Sequence, residues 1–246
     1  MTTRPLELSV VVPAYNEEAR LPRSLERICE YLRRTHPASE VIVVDDGSTD
    51  RTAEVVRQWQ AQTPELRLLS NGANRGKGYS VRAGMLAASG EISLFTDADL
   101  SAPVEESEKL LDALRSADIA IGSRALDRRL IKVHQSPGRE FAGIFFNRMM
   151  RLATGLNFED TQCGFKAFRT ARTRIIFQQQ KIEDFGFDPE ILFLARRHDL
   201  RIAEIPVVWS HDPRTKVHMI RDSLQMFGDL WQIRWNLVLG RYPNTK

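Results

Sequence analysis

The chain has 246 residues, 42% of them hydrophobic and 27% charged, a balance that excludes a disordered, collagenous or disulfide-framework protein. Its net charge of +3 hides an asymmetry: 14 basic and 19 acidic residues through Ser123, then 21 basic and 13 acidic from Arg124 onward. The basic residues form no dense run and accompany no nucleic-acid motif, so nucleic acid is excluded as the partner. An acidic, cation-holding half joined to a basic half that receives phosphates or a phospholipid surface fits the asymmetry; so do ordinary solvated helix faces.

In chain order, 8–12 is an unbroken apolar run, as in a parallel strand covered on both faces, and Pro13 ends it. Leu21, Leu25, Ile28 and Leu32 place one apolar stripe on a helix over 21–32. A second strand over 41–44 runs into Asp45-Asp46-Gly47-Ser48, and Thr49 or Asp50 caps a helix reaching about residue 61. A strand over 66–69 is followed by Asn74-Arg75-Gly76-Lys77-Gly78 and a helix over 80–88. The strand over 92–95 runs into Asp97-Ala98-Asp99, and a helix over 104–114 precedes a strand over 119–121 that ends at Gly122-Ser123-Arg124. Successive βα units require right-handed crossovers, hence a mostly parallel sheet with helices on both faces.

The second half is less regular. Residues 125–138 read as a polar, basic loop of a length suited to a mobile lid. Helices over 139–153 and 188–198, a strand over 164–168, and a strand over 201–209 broken by Pro206 follow. The final segment, 217–240, reads as an amphipathic helix with Val217, Ile220, Leu224, Phe227, Trp231 and Val238 on one face. No internal repeat or Pro/Ser-rich linker appears, so the expectation is one domain over 1–246.

Cys29 and Cys163 are too few for a disulfide framework or a zinc site and point to a reducing compartment. No stretch reaches the roughly 18 uncharged apolar residues of a spanning helix, and the first residues lack a signal-peptide pattern. A cytoplasmic location follows, soluble or peripheral to a membrane.

In sheets of this kind ligands bind beyond the carboxyl ends of the strands, where the polar clusters lie. Asp97 and Asp99, two residues apart at a strand end, are placed to share a hard divalent cation that keeps room for phosphates. A capping turn that uses Asp99 and Ser101 ahead of Pro103 explains the same residues. The 74–78 segment matches neither of the glycine-rich phosphate motifs. It offers backbone N–H groups, two cations and a helix start, which suits an anion as well as a solvated turn. His134 and His211 have no partner at metal-ligand spacing. Trp231 and Trp235 read either as core or, flanked by Arg221, Arg234 and Arg241, as a face for the lipid interface.

Taken together, Val11-Val12-Pro13-Ala14-Tyr15-Asn16-Glu17-Glu18, Val43-Val44-Asp45-Asp46-Gly47-Ser48-Thr49-Asp50, Asn74-Arg75-Gly76-Lys77-Gly78, Asp97-Ala98-Asp99 and Gly122-Ser123-Arg124 resemble, in that order, a family 2 inverting glycosyltransferase of the GT-A fold. In the second half, Asp160-Thr161-Gln162-Cys163-Gly164-Phe165-Lys166, Phe187-Asp188 with Glu190, Glu204-Ile205-Pro206-Val207 and Ser223-Leu224-Gln225-Met226 are similar to the dolichyl-phosphate β-glucosyltransferases, with the polyprenyl-phosphate mannose synthases as relatives. The likeness covers roughly 8–240.

The resemblance implies a nucleotide-sugar half over 7–124 and an acceptor half over 125–246. It implies a nucleotide site from Pro13, Ala14, Tyr15 and Glu17, with Val44 and Asp46 at the base and ribose. Arg75 and Lys77 would line the donor, beside Ala98. Asp97 and Asp99 would hold Mg²⁺ or Mn²⁺ on the donor diphosphate. Ser101 stands where the mannose synthases carry a metal-binding Gln. Arg124 and Arg139 would receive the acceptor phosphate, and Arg214 and Lys216 would sit on a loop closing over the donor. UDP-glucose is the implied donor, with GDP-mannose or a hydroxyl acceptor as the alternatives, and a polyprenyl phosphate is the implied acceptor. That family's amino-terminal membrane anchor has no counterpart here, so peripheral attachment at the cytoplasmic face is expected. Asp160 and Asp188 remain as bases or orienters, or as partners of Arg169, Lys166 or a helix terminus.

Overall fold

The structure is a computed structural model and describes residues 5–133, 148–151, 154–212 and 219–243. The first half alternates as its apolar periodicity predicts: β1 (Leu8–Ala14), α1 (Leu21–Thr35), β2 (Ser39–Asp45), α2 (Thr52–Gln60), β3 (Leu66–Ser70), α3 (Lys77–Ala87), β4 (Ile92–Thr96), α4 (Ser107–Ala113) and β5 (Ile119–Ser123). In the second half come β6 (Ile131–Val133), β7 (Phe165–Arg169), α5 (Thr170–Gln179), α6 (Phe187–Arg197), β8 (Ile202–Pro206), β9 (Trp209–Ser210) and α7 (Met219–Val238).

Seven strands form one sheet in the order β3-β2-β1-β4-β7-β5-β8. All neighbours are parallel except β7, which runs antiparallel to both β4 and β5. Alternate residues of each strand feed two apolar layers. Val10, Val12, Val41, Val43 and Leu94 pack with Leu21, Leu25, Ile28 and Leu32 of α1. Val11, Ile42, Val44 and Phe95 face the opposite way, toward Val81 and Met85 of α3 and Phe187 and Ile191 of α6. Burial on both faces explains why the strands read as continuous apolar runs rather than alternating ones.

Four details depart from the sequence reading. Residues 128–133, expected within a loop, form a 3₁₀ turn and then β6, which pairs in parallel with β9; β-branched Ile131 and Val133 favour that extended pairing. The turn after β2 is fixed by Asp50, whose Oδ1 accepts from the Thr52 N–H at 2.9 Å, and α2 starts only at Thr52. The helix after the Gly-rich segment begins three residues early, so Lys77 is its first residue. A helix not anticipated, α5, follows β7 directly. Of the helix expected over 139–153, residues 148–151 are helical and the rest lies outside the described residues.

The expected C-terminal helix is present as α7, and it turns an unexpected face inward. Leu230, Ile233 and Asn236 are buried, whereas Trp231, Trp235 and Val238 are 76%, 62% and 78% exposed. No helix of the described residues is long and apolar enough to cross a membrane.

Candidate active site

Beyond the carboxyl ends of β1, β2, β4 and β5, backbone hydrogen bonds and carboxylates tie four loops into one surface. Asp46 is the organiser on the β2 side. Its Oδ1 accepts from the Asn71 side chain at 2.8 Å and the Arg75 N–H at 2.9 Å, and its Oδ2 from the Gly76 N–H at 2.9 Å. Asn16, in the left-handed region at φ 54°, accepts through its side chain from the Thr49 N–H at 2.7 Å. Its own N–H donates to Ser48 Oγ. The Tyr15–Glu17 and Gly47–Asp50 loops are thereby fastened together, with Pro13 half-buried, Ala14 and Val44 buried beneath, and Tyr15 exposed.

The Asp97-Ala98-Asp99 turn follows β4. Thr96 pairs with Phe165 across the antiparallel β7, and this register sets Gly164 opposite Asp97, whose N–H donates to the Gly164 carbonyl at 3.2 Å. A Cβ at position 164 would lie 2.1 Å from Asp97 Oδ2, so only glycine lets the carboxylate rest there. Asp97 Oδ1 meets the Lys77 ammonium at 2.5 Å. Asp99 Oδ1 accepts from the Ser101 N–H at 2.9 Å, the capping turn seen in the sequence, while Oδ2 lies 4.0 Å from the Arg20 guanidinium. Arg20 also grips Glu17 at 2.5 Å and reaches Asp212 at 3.5 Å. Burial, then the charge of Asp97, raises the carboxyl pKa of Asp99.

These residues fit a hard divalent cation. Two neighbouring carboxylates, one of them paying for burial next to the other, gain from a positive charge between them. Two carboxylates would leave the remaining positions of such a cation to phosphate oxygens and water, as Mg²⁺ sites use.

On the β5 side, Arg124 and Asp160 form a two-pronged pair. Nε donates to Oδ2 at 2.6 Å and Nη2 to Oδ1 at 2.8 Å, and the Arg124 N–H adds a third bond at 3.0 Å. Burial works against both charges, and each outweighs that cost for the other: Asp160 stands below the usual carboxylate range and Arg124 above its own. Glu204 of β8 accepts the Glu159 and Asp160 N–H groups at 3.0 and 2.8 Å, seating the segment. Arg124 also lies over the Trp209 ring, 5.4 Å from its centroid.

Beneath the surface, Lys166 and Asp188 form a pair with the lysine fully buried, at 2.5 Å, and Lys166 also donates to the Cys163 carbonyl at 2.6 Å. Asp188 opens α6, where the helix dipole favours a negative charge, yet burial raises its pKa against the pull of Lys166 and Lys77. The sequence offers Lys166 as a partner for these carboxylates but does not point to Arg124 as the partner of Asp160.

The structure therefore brings Asp97, Asp99, Lys77 and Glu17 together through direct or Arg20-bridged contacts. It directs Arg75 elsewhere: that guanidinium is exposed, paired with Glu183 at 2.7 Å and laid over Tyr79. Arg139, Arg214 and Lys216 lie outside the described residues. Sequence reasoning missed Arg20 and Asp212 and named Gly164 and Glu204 only within the resemblance, without a role, because their roles depend on contacts between separate segments.

The fold is that of a nucleotide-sugar transferase of the GT-A type, and comparison with known proteins bears that fold out. The glycosyl transferase family 2 profile matches residues 9–173; the chain belongs to that family. It is 37% identical to a dolichyl-phosphate beta-glucosyltransferase of Trichomonas vaginalis, over 91% of this chain and 69% of the relative. It is 34% identical to the enzymes of that name from Saccharomyces cerevisiae and Homo sapiens, over 97% and 96% of this chain and 77% of each relative. Among solved structures, a glucosyl-3-phosphoglycerate synthase from Mycobacterium tuberculosis, in complex with Mn²⁺, UDP-glucose and phosphoglyceric acid, shares the fold. Its TM-score is 0.68 at 21% identity, covering 93% of this chain and 79% of that one.

Proposed function

We propose that this chain transfers glucose from UDP-glucose to dolichyl phosphate or a related polyprenyl phosphate, with inversion at the anomeric carbon. The carrying observation is the Asp97/Asp99 pair beyond β4, with Lys77 on one side and Arg124 beyond β5. The names and high coverage of the family 2 relatives support the same reaction.

Asp97 and Asp99 hold the divalent cation, with Ser101 bracing Asp99 by its N–H. When bound, Mg²⁺ or Mn²⁺ supplies positive charge to the donor diphosphate as it departs. Pro13, Ala14, Tyr15, Glu17, Val44 and Asp46 form the floor of the nucleotide site, and Lys77, Ala98, Arg214 and Lys216 complete the donor side, with Arg75 held away on Glu183. Arg124 and Arg139 receive the acceptor phosphate.

The two candidate bases are both engaged. Asp160 is locked to Arg124 and held ionised; Asp188 is buried against Lys166. A phosphomonoester acceptor suits such a site. Its second pKa is near ~6, so its oxygen is already largely anionic at neutral pH and needs no proton removed before it attacks. Asp160 serves as the orienter of Arg124 rather than as a base.

The chain acts as one unit, 7–124 taking the donor and 125–246 the acceptor, and it works peripherally at the cytoplasmic face of a membrane. Trp231, Trp235 and Val238 stand out from α7 with Arg234 and Arg241 exposed nearby, a composition suited to an anionic lipid interface. Incubation of purified protein with Mn²⁺, a short-chain dolichyl phosphate and either UDP-glucose or GDP-mannose tests the assignment. Glucolipid from UDP-glucose alone is expected; product from GDP-mannose alone, or turnover undiminished by chelator, would overturn it.

A further inference from the structure

Both ends of the contact between Lys77 and Asp97 are held by backbone. On the lysine side, Asp46 binds the Arg75 and Gly76 N–H groups, and the Tyr79 N–H donates to the Glu183 carbonyl at 2.9 Å. Gly76 has φ +99°, and a Cβ there would meet the Glu183 carbonyl oxygen at 2.5 Å; one at Gly78 would meet Phe187 Cβ at 2.7 Å. The segment is pressed so closely against 182–187 that Lys77 enters α3 from a fixed point. On the carboxylate side, the Asp97 N–H donates to the Gly164 carbonyl at 3.2 Å, and the carboxylate rests against Gly164 where a Cβ would lie 2.1 Å from Oδ2. The Lys77 side chain, 21% exposed, thus delivers its ammonium to Oδ1.

A cation on the Asp97/Asp99 pair would have to share the Asp97 carboxylate with that ammonium. An oxygen-bound divalent cation as small as Mg²⁺ sits at about 2.0–2.1 Å from its ligand. With the ammonium at 2.5 Å from Oδ1, two positive centres would crowd one carboxylate. Either Lys77 leaves or the cation binds weakly. A diphosphate gives Lys77 a second anion at the same place.

Resting on the reading of the site given above, we propose that Lys77 is a cationic placeholder: it neutralises Asp97 until a nucleoside diphosphate arrives, then shifts to the diphosphate and yields the carboxylate to the divalent cation. Cation and nucleotide binding are therefore coupled through this side chain. The coupling is reciprocal, so UDP strengthens Mn²⁺ binding by the factor by which Mn²⁺ strengthens UDP binding. Arg20 cannot substitute, because Glu17 and Asp212 already share its guanidinium.

Titration of the whole chain with Mn²⁺, following free Mn²⁺ by electron paramagnetic resonance with and without saturating UDP, reads the coupling without any turnover. The wild-type protein should bind Mn²⁺ about tenfold or more tightly with UDP, within the usual range of coupling between sites. Lys77→Met should tighten Mn²⁺ binding in the absence of UDP by a similar factor and shrink the gain from UDP. Lys77→Arg, which keeps the charge, should stay close to wild type. If Lys77→Met leaves nucleotide-free Mn²⁺ affinity unchanged or lower while UDP still enhances binding in the wild type, the placeholder is wrong and the metal site stands. If the wild type binds no Mn²⁺ even with UDP, the metal assignment and the placeholder fall together.

Discussion

Arg124 and Asp160 meet through two parallel side-chain hydrogen bonds and a third from the Arg124 backbone, joining the end of β5 to the loop before β7. This geometry fixes the direction of the guanidinium. Asp160→Asn keeps the volume but loses the charge that holds Arg124, and kcat should fall about 10²-fold, the scale on which one oriented electrostatic group acts. Steady-state kinetics with short-chain acceptor should place the loss in kcat and in acceptor KM, with KM for UDP-glucose little changed.

Asp99 has one oxygen on the Ser101 N–H and the other facing Arg20. Asp99→Ala should lower turnover by about 10²-fold or more. Excess chelator should bring the wild type to the same level, and adding Mn²⁺ back should rescue the wild type alone.

The Lys166–Asp188 pair is a stability feature first. Lys166→Met leaves the Asp188 carboxylate buried without its cation, a change that costs about 3–5 kcal/mol. At this chain length that corresponds to roughly 10 °C in Tm. The double substitution Lys166→Met with Asp188→Leu should recover much of the loss in a thermal melt, because no buried charge is then stranded.

Asp229 of α7 is pushed up to about 6, first by burial and then by the charge of Asp184, although the Gly186 N–H works the other way. Among the described residues its Oδ2 has no hydrogen-bond partner. Because the folded pKa lies above the unfolded one, the native state binds the extra proton between about pH 4 and 6. The resulting stabilisation is full below the unfolded pKa and is lost as pH rises through 6. Asp229→Asn should therefore leave Tm at pH 4 nearly unchanged and raise stability at pH 7.5 by about 1–2 kcal/mol. Thermal melts of both proteins across that range measure the difference.

Trp231→Ala with Trp235→Ala should weaken sedimentation with anionic phospholipid vesicles by about tenfold or more, each ring contributing on the order of 1–2 kcal/mol of interfacial burial. Turnover on a short, water-soluble acceptor should be unaffected. Both residues are exposed, so the fold does not depend on them.

The strands of the first half were legible because burial on both faces leaves unbroken runs such as Val10-Val11-Val12, and the polar clusters could be placed because each ends one of those runs. Strand direction was not. Phe165–Arg169 reads as a strand, but nothing in its residues says that it enters antiparallel between β4 and β5. The site was half legible in the same way. Asp97, Asp99 and Arg124 stand at strand ends, whereas the contact of Lys77 with Asp97 depends on how tightly two glycines let separate segments approach. The helical spacing of α7 marked Trp231 as apolar but could not say which side the core lies on. That was decided by Leu230 and Ile233, which are buried instead.

The position of β7 also bears on how the chain comes into being. β4 and β5 never touch as neighbours; each pairs with a strand that is synthesised some forty to seventy residues later. A nascent segment ending near Arg124 would carry two unsatisfied edges where that strand belongs, a template for aggregation. Such distant pairing also slows acquisition of the native topology. Asp97, whose N–H donates to the Gly164 carbonyl, can be set in place only after the ribosome has delivered that strand, so the donor half cannot be lifted out intact at Arg124.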